Sequence, residues 1–116
     1  MHLSRPALTL AALLVSVSAY AATLTPSQVL YSANRYNGQS VNVEGIVTKL
    51  QIKTTTTGIA YQTFQLCDAS ACLSVNAKYN KDYAEGADVK VTGYFWMTKI
   101  VGYKTYHNEL DIDDQN

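Results

Sequence analysis

The sequence predicts a small, mainly β domain of five strands preceded by one short helix. Apolar and polar residues alternate with period two in five separate segments, as in strands that bury one face. Turn-forming residues, chiefly Gly, Asn, Asp and Thr, separate these segments. Residues 25–36 instead repeat their apolar positions at helical spacing. The fold class expected from these three observations is all-β in the main.

Residues 1–22 have the pattern of a secretory signal peptide. A weakly positive start precedes an apolar run over residues 7–17, and Ala19 and Ala21 put small residues where a signal peptidase reads them. The run is shorter than the roughly 20 apolar residues that span a bilayer. We therefore expect a single mature domain over residues 23–116, periplasmic or secreted, with no stable membrane anchor.

The mature chain carries almost no net charge and no legible catalytic arrangement. Removal of the leader removes one arginine, which leaves eight basic and nine acidic residues in the mature chain. This net charge predicts no strong nonspecific attraction to nucleic acid or membranes. Phosphodiester cleavage would require clustered carboxylates for a metal and arginines for the phosphate, but Arg35 is the only mature arginine. We expect a non-enzymatic protein with no catalytic residues, no cofactor and no bound metal.

Two cysteines, Cys67 and Cys72, flank a predicted β-turn. Alternating residues lead into Cys67 and resume after Cys72, so the segment predicts a hairpin in which the cysteines face each other. Opposed Cα atoms in a non-hydrogen-bonded pair lie about 4.5 Å apart, within disulfide range. Export favours a structural disulfide. A redox-active pair would need a helix N-terminus, and a zinc site would need two further ligands although His107 is the only mature histidine.

The remaining elements follow from local signals. Thr25 and Gln28 form a capping-box pattern that starts the helix, and Asn37-Gly38 ends it. The shift of apolar parity near Gly45 predicts a bulge or bend in the first strand. The strands are expected at residues 41–52, 59–67, 72–77, 89–95 and 103–112, with one helical turn over 79–84 between the third and fourth and a loop over 99–102.

Five strands with a helical turn after the third is the order of an OB-fold, a five-stranded Greek-key barrel. Four segments carry a closer likeness: residues 43–47 (VEGIV), 63–68 (TFQLCD), 73–75 (LSV) and 85–93 (EGADVKVTG). Together they resemble the nucleic-acid-binding OB domain of the tRNA-anticodon type, over roughly residues 40–112. The resemblance implies a Greek-key barrel and single-stranded nucleic acid as the ligand.

OB domains bind on the face of strands two and three, between the loops that join strands one-two and four-five. In this chain that region would contain aromatic rings for stacking and lysines for phosphates. The expected ligand-binding residues are Lys49 and Lys53 near the first loop, Tyr61, Thr63 and Gln65 on the second strand, Tyr94 and Trp96 on the fourth, and Lys99, Tyr103 and Lys104 around the second loop. The alternative interpretation is ordinary strand surface, since tyrosine suits strands and lysine protects sheet edges.

The expected function is therefore an exported OB-fold binding module that takes single-stranded nucleic acid on the strand two/three face. The alternative is a protein- or saccharide-binding component of an envelope or secreted assembly, which would use the same face. A third hypothesis is a soft-metal carrier, because Trp96, Met97 and His107 lie on neighbouring predicted strands.

Overall fold

The computed structural model describes residues 22–79 and 81–112. The elements are β1 (Thr23–Leu24), α1 (Pro26–Tyr31), α2 (Ala33–Tyr36), β2 (Ser40–Thr54), β3 (Ala60–Cys67), β4 (Cys72–Lys78), β5 (Asp88–Val101) and β6 (Lys104–Ile112). The expected signal peptide, apart from Ala22, and the acidic residues 113–116 lie outside the described residues, so the leader and the domain bounds stay predictions. Across the described part of the chain, no helix has the length and apolar character needed to cross a membrane.

The five long strands form one closed sheet, which confirms the predicted all-β class. Strand β2 is long enough to serve two partners: its first half pairs with β5 and its second half with β3, both antiparallel. Strand β3 pairs with β4, and β5 pairs with β6, again antiparallel. A parallel pairing of β4 with β6 completes the ring. The short β1 lies parallel to the first half of β2.

Alternate residues of all five strands meet in one buried cluster. Phe95, Leu66, Leu73 and Leu110 are its largest members and are fully buried. Helix α1 adds Val29, which is also fully buried. Packing of the closed sheet is therefore continuous with packing of the N-terminal helix.

The predicted bulge near Gly45 is wrong by several residues. Gly45 continues the inward row of Val43 and Val47, and a Cβ at this position would lie 2.9 Å from the carbonyl oxygen of Cys67. The strand needs a residue without a side chain here because β3 passes so close. The actual irregularity lies between Thr48 and Gln51.

The bulge in β2 is stabilised by a carboxylate from the loop before β5. Lys49 adopts a left-handed backbone conformation with φ +55°. The N–H groups of Lys49 and Leu50 donate to the two oxygens of Glu85, at 3.1 and 2.9 Å. A bulge interrupts the strand ladder and leaves backbone N–H groups without a partner on the neighbouring strand. The Glu85 carboxylate accepts from these two N–H groups in its place.

The predicted helical turn over residues 79–84 is also absent. Residue 79 and residues 81–87 form bends and a turn. The buried side-chain amide of Gln62 donates to the carbonyl oxygens of Lys78 and Lys81, at 3.3 and 2.8 Å. The ring of Tyr83 packs on Phe64, with 4.9 Å between centroids. The carbonyl oxygens of Lys78 and Lys81 therefore accept hydrogen bonds from Gln62 that they would accept from backbone N–H groups in a helical turn.

Two further boundaries differ from expectation. The predicted helix begins as expected with a capping box between Thr25 and Gln28, but Ser32 divides it into α1 and α2. The predicted loop over residues 99–102 is shorter, because β5 continues to Val101. A two-residue turn then follows, in which Gly102 has φ +62°. Glycine adopts this conformation without steric cost, as tight hairpin turns require.

The predicted disulfide is confirmed. Cys67 and Cys72 are the last facing pair of the β3–β4 ladder, with Cα atoms 4.1 Å apart. Directly after Cys67, Asp68 accepts four hydrogen bonds: from the side chain and backbone of Ser27 at 2.7 and 2.8 Å, and from the N–H groups of Ser70 and Ala71, both at 2.8 Å. The bonds from Ser27, with those from the loop, hold the pKa of Asp68 well below its usual range. The same carboxylate therefore joins α1 to the disulfide loop.

We expect the Asp68→Asn variant to lose about 1–2 kcal/mol of unfolding free energy at neutral pH, the loss typical of hydrogen bonds to a charged group. Because folding lowers the pKa of Asp68, its stabilising effect is present above the unfolded pKa of about 3.9 and disappears as the pH falls through the folded value. Urea unfolding of both proteins at several pH values checks this. The exposed Asp82→Asn serves as control, and a difference between native and Asp68→Asn that does not shrink with acid would contradict the assignment.

Candidate ligand-binding groove

A groove of about 310 Å³ runs across β3 and β4 between the bulged part of β2 and the strand β6. We call it the β3–β4 groove. Its lining is mainly polar, with amides, hydroxyls, two lysines and one carboxyl group surrounding two tyrosine rings. The lining residues are Lys49, Gln51 and Lys53 of β2, Tyr61, Thr63, Phe64 and Gln65 of β3, Ser74, Val75 and Asn76 of β4, and Tyr106 and Glu109 of β6.

Five of the ten predicted ligand-binding residues line this groove. Tyr61, Thr63 and Gln65 face it because the alternate residues of β3, including Phe64 and Leu66, are buried. The parity assigned from the sequence is therefore the one observed. Lys49 and Lys53 line the groove from β2. That these five residues bind a ligand stays a prediction.

The other five predicted residues are not in the lining. Lys99 is paired with two carboxylates, one of them in the groove lining: its Nζ lies 3.1 Å from Glu109 Oε2 and 2.6 Å from Asp111 Oδ2. Trp96 stands opposite Glu109 on the β5–β6 ladder, and its ring would lie 3.7 Å from a Cβ at Gly38. The remaining three are exposed on β5 or at the β5–β6 turn: Tyr94, Tyr103 and Lys104.

Tyr106 and Glu109 also line the groove, although their spacing in the sequence did not predict it. These residues are three apart and would lie on opposite faces of a regular strand. Both line the groove because Asn108 between them adopts a left-handed conformation with φ +53°. Asparagine tolerates this conformation better than most residues. The Asn within this predicted strand was the one sequence feature that could have indicated a break in the alternation of its faces.

Glu109 is the most perturbed group in the groove. Its side chain is only 6% exposed, with Lys99 on one side. Burial, together with the neighbouring Asp111 carboxylate, raises the pKa of Glu109 to about 7, although Lys99 opposes the shift. Burial lowers the pKa of Lys99, but the carboxylates of Asp111 and Glu109 outweigh it and raise that pKa overall. The groove therefore contains a carboxyl group that changes charge near neutral pH.

The Asp111 carboxylate is only half satisfied. Its Oδ2 receives the Lys99 ammonium, whereas Oδ1 is buried and has no hydrogen-bond partner among the described residues. Ionisation of Glu109 would place a second negative charge beside the Asp111 carboxylate, which is unfavourable. This agrees with the raised pKa of Glu109.

The described residues hold no group of three or more His, Cys, Asp or Glu side chains that could bind a metal ion. The residues of the soft-metal hypothesis are also divided: Met97 packs against the core, whereas His107 is exposed. A hydrogen bond from the Met97 N–H to Asn37, at 2.9 Å, fixes this part of β5 against the segment after α2.

No protein-family model matches the chain, and no curated protein sequence matches it. The likeness to OB domains of the tRNA-anticodon type therefore stays a prediction from the four sequence segments.

We expect Glu109→Gln to gain stability relative to the native protein as the pH rises. Because folding raises the pKa of Glu109, its favourable contribution is complete below the unfolded pKa of about 4.3 and is lost as the pH rises through about 7. The difference in unfolding free energy between variant and native protein should change by roughly 1 kcal/mol or more between mildly acidic and mildly alkaline buffer. Urea unfolding checks this, with the exposed Glu44→Gln as control. A difference that is constant with pH would refute it.

Proposed function

We propose that this protein is an exported, non-enzymatic OB-fold module that binds its ligand in the β3–β4 groove. The closed ring of five strands, with β2 shared between β3 and β5, supports assignment as a Greek-key barrel. In such barrels the ligand lies across the strands that correspond to β3 and β4, and the groove is found on those strands. The disulfide is compatible with an oxidising location, periplasmic or secreted.

The ligand we propose is a short stretch of single-stranded nucleic acid. One observation carries this choice: two tyrosine rings, Tyr61 and Tyr106, line the same groove as two lysines, Lys49 and Lys53. Stacking of a base on an aromatic ring contributes about 1–3 kcal/mol, and lysines follow the phosphates. Neither lysine forms an ion pair with another described residue, in contrast to Lys99.

The rest of the lining is suited to polar recognition. Gln51, Gln65 and Asn76 each bring an amide that can donate and accept hydrogen bonds, as base edges require. The volume of about 310 Å³ is at the lower end of the range for ligand pockets, roughly 300–1,000 Å³. The groove therefore suits one or two nucleotides of a longer strand.

Glu109 makes this binding sensitive to pH. An ionised carboxylate in the groove repels phosphate, whereas the protonated form does not and can donate a hydrogen bond. Because the pKa of Glu109 is about 7, affinity for an anionic ligand should rise as the pH falls through neutrality.

A saccharide is the second candidate. The observation in its favour is the combination of a carboxyl group, Glu109, with amides and tyrosine rings and only two lysines. Sugar hydroxyls would hydrogen-bond to the carboxylate and amides, and a sugar ring would lie on a tyrosine face. Such binding would depend little on salt, unlike that of nucleic acid.

The test is fluorescence anisotropy of a labelled single-stranded oligonucleotide at low salt and mildly acidic pH. We expect Tyr61→Ala to weaken binding about tenfold or more, because one stacking contact is lost. We expect Lys53→Gln to reduce the slope of log affinity against log salt by about one phosphate contact.

Matched controls are available on other surfaces. Tyr31→Ala removes an exposed tyrosine of α1, and Lys90→Gln removes an exposed lysine of β5 outside the groove. Both should bind like the native protein. If no oligonucleotide binds, the nucleic-acid proposal fails; salt-independent binding of a neutral polysaccharide that Tyr61→Ala abolishes would support the second candidate instead.

A further inference from the structure

The turn-proximal parts of two hairpins have no acidic residue. Residues 45–67, which include the β2–β3 hairpin, contain no Asp or Glu, and neither do residues 89–108, which include the β5–β6 hairpin. The mature chain is nearly neutral because its basic and acidic residues are almost equal in number. The acidic residues, however, are all outside these two segments, so charges of opposite sign are segregated along the chain.

The tips of both hairpins expose large apolar side chains. On the β2–β3 hairpin, Ile52 and Ile59 are 57% and 63% exposed. On the β5–β6 hairpin, Ile100 and Val101 are also more than half exposed, and Tyr103 is fully exposed at the turn. Large apolar side chains exposed together at a hairpin tip indicate a surface that meets an apolar partner.

The two hairpins lie next to each other. Tyr106 of the β5–β6 hairpin lines the β3–β4 groove together with Lys49, Lys53 and Tyr61 of the β2–β3 hairpin. Each hairpin also carries an exposed lysine near its apolar residues, Lys53 on the first and Lys104 on the second, and neither is ion-paired within the part of the chain that the structure describes. Apolar and basic side chains therefore occur together on both hairpins.

We propose that the tips of the β2–β3 and β5–β6 hairpins dock reversibly on the surface of an anionic lipid bilayer. Ile52, Ile59, Ile100 and Val101 would enter the boundary between headgroups and acyl chains, and the lysines would face lipid phosphates. Burial of apolar area and attraction of lysines to anionic lipids are the two terms that drive such binding. Tyr103 suits the interface because tyrosine combines an apolar ring with a polar end.

Charge complementarity favours a bilayer over other partners. Lysines near an anionic leaflet are attracted to it, and residues 45–67 and 89–108 contain no carboxylate to oppose this. The apolar residues are at the ends of two projecting hairpins, not in a groove that a peptide could fill. The turns should insert only to a shallow depth, because backbone groups without hydrogen-bond partners are not tolerated in the hydrocarbon. At the first tip one such pair is satisfied internally, since the Gly58 N–H donates to the Thr55 carbonyl at 3.0 Å.

The experiment is co-sedimentation of the mature protein with vesicles of mixed phosphatidylglycerol and phosphatidylcholine. We expect binding to these vesicles at low salt and much weaker binding to pure phosphatidylcholine. Ile100→Ser should bind about tenfold more weakly, since a tenfold change equals about 1.4 kcal/mol and burial of an isoleucine contributes at least that. Lys104→Gln should bind about fivefold more weakly, the factor that corresponds to about 1 kcal/mol.

One control replaces an exposed aromatic residue away from both tips, and the other is a lysine matched to Lys104. Tyr31→Ser removes an exposed tyrosine on α1, and Lys90→Gln removes an exposed lysine from the opposite end of β5. Both should bind vesicles like the native protein, and thermal unfolding should show that all four variants are folded. The groove variant Tyr61→Ala should also keep vesicle binding, so failure of the proposed ligand and failure of membrane docking remain distinguishable.

A second measurement reports depth directly. With Trp96 replaced by Phe and Tyr103 by Trp, the one remaining indole is at the hairpin turn, and brominated phospholipids should quench its fluorescence. Equal binding to neutral and anionic vesicles, or an equal loss in Lys90→Gln and Lys104→Gln, would overturn the proposal. Concentration-dependent self-association that Ile100→Ser abolishes, without vesicle binding, would identify the tips as a contact between copies of this chain and would also overturn it.

Discussion

The double use of β2 is the constraint on which the rest of the structure depends. One strand of fifteen residues must pair with β5 along its first half and with β3 along its second half. To do so it has to turn between the two partners while its inward row stays in the core. Gly45 permits the close approach of β3, and the bulge after Thr48 changes the direction of the chain. Glu85 then satisfies the backbone groups that the bulge leaves unpaired.

Much of this arrangement could be predicted from local sequence. Alternation located the five strands, and the spacing of Cys67 and Cys72 located the disulfide-linked pair that ends the β3–β4 ladder. The predictions were wrong where contacts distant in sequence decide the conformation. Gln62 takes the place of a helical partner by donating to the carbonyl oxygens of Lys78 and Lys81, and Phe64 packs on Tyr83, although the local pattern favours a helical turn. The bulge lies where Glu85 can accept from it, and no local signal in β2 marks that position.

The candidate site shows the same division. Strict alternation assigned the correct face to Tyr61, Thr63 and Gln65, because β3 is regular. It did not predict the groove residues of β6, since one left-handed residue, Asn108, brings Tyr106 to the same groove as Glu109. Counting lysines near the second loop also overestimated the free positive charge, because Lys99 is held by two carboxylates. Charge in a groove depends on pairing as well as on composition.

The parallel pairing of β4 with β6 has a consequence for how the chain folds. Ser74 lies opposite Glu109, and the whole of β5 with its turn lies between them in sequence. The three antiparallel pairs β2–β3, β3–β4 and β5–β6 each join strands that are consecutive in the chain and can form early. The β4–β6 and β2–β5 pairs require closure of long loops, which is slow. We therefore expect a meander and a separate hairpin to form first and to join late, with the edges of β4 and β6 unpaired in the interval. The disulfide between β3 and β4 would keep β4 in register with β3 until β6 pairs with its free edge.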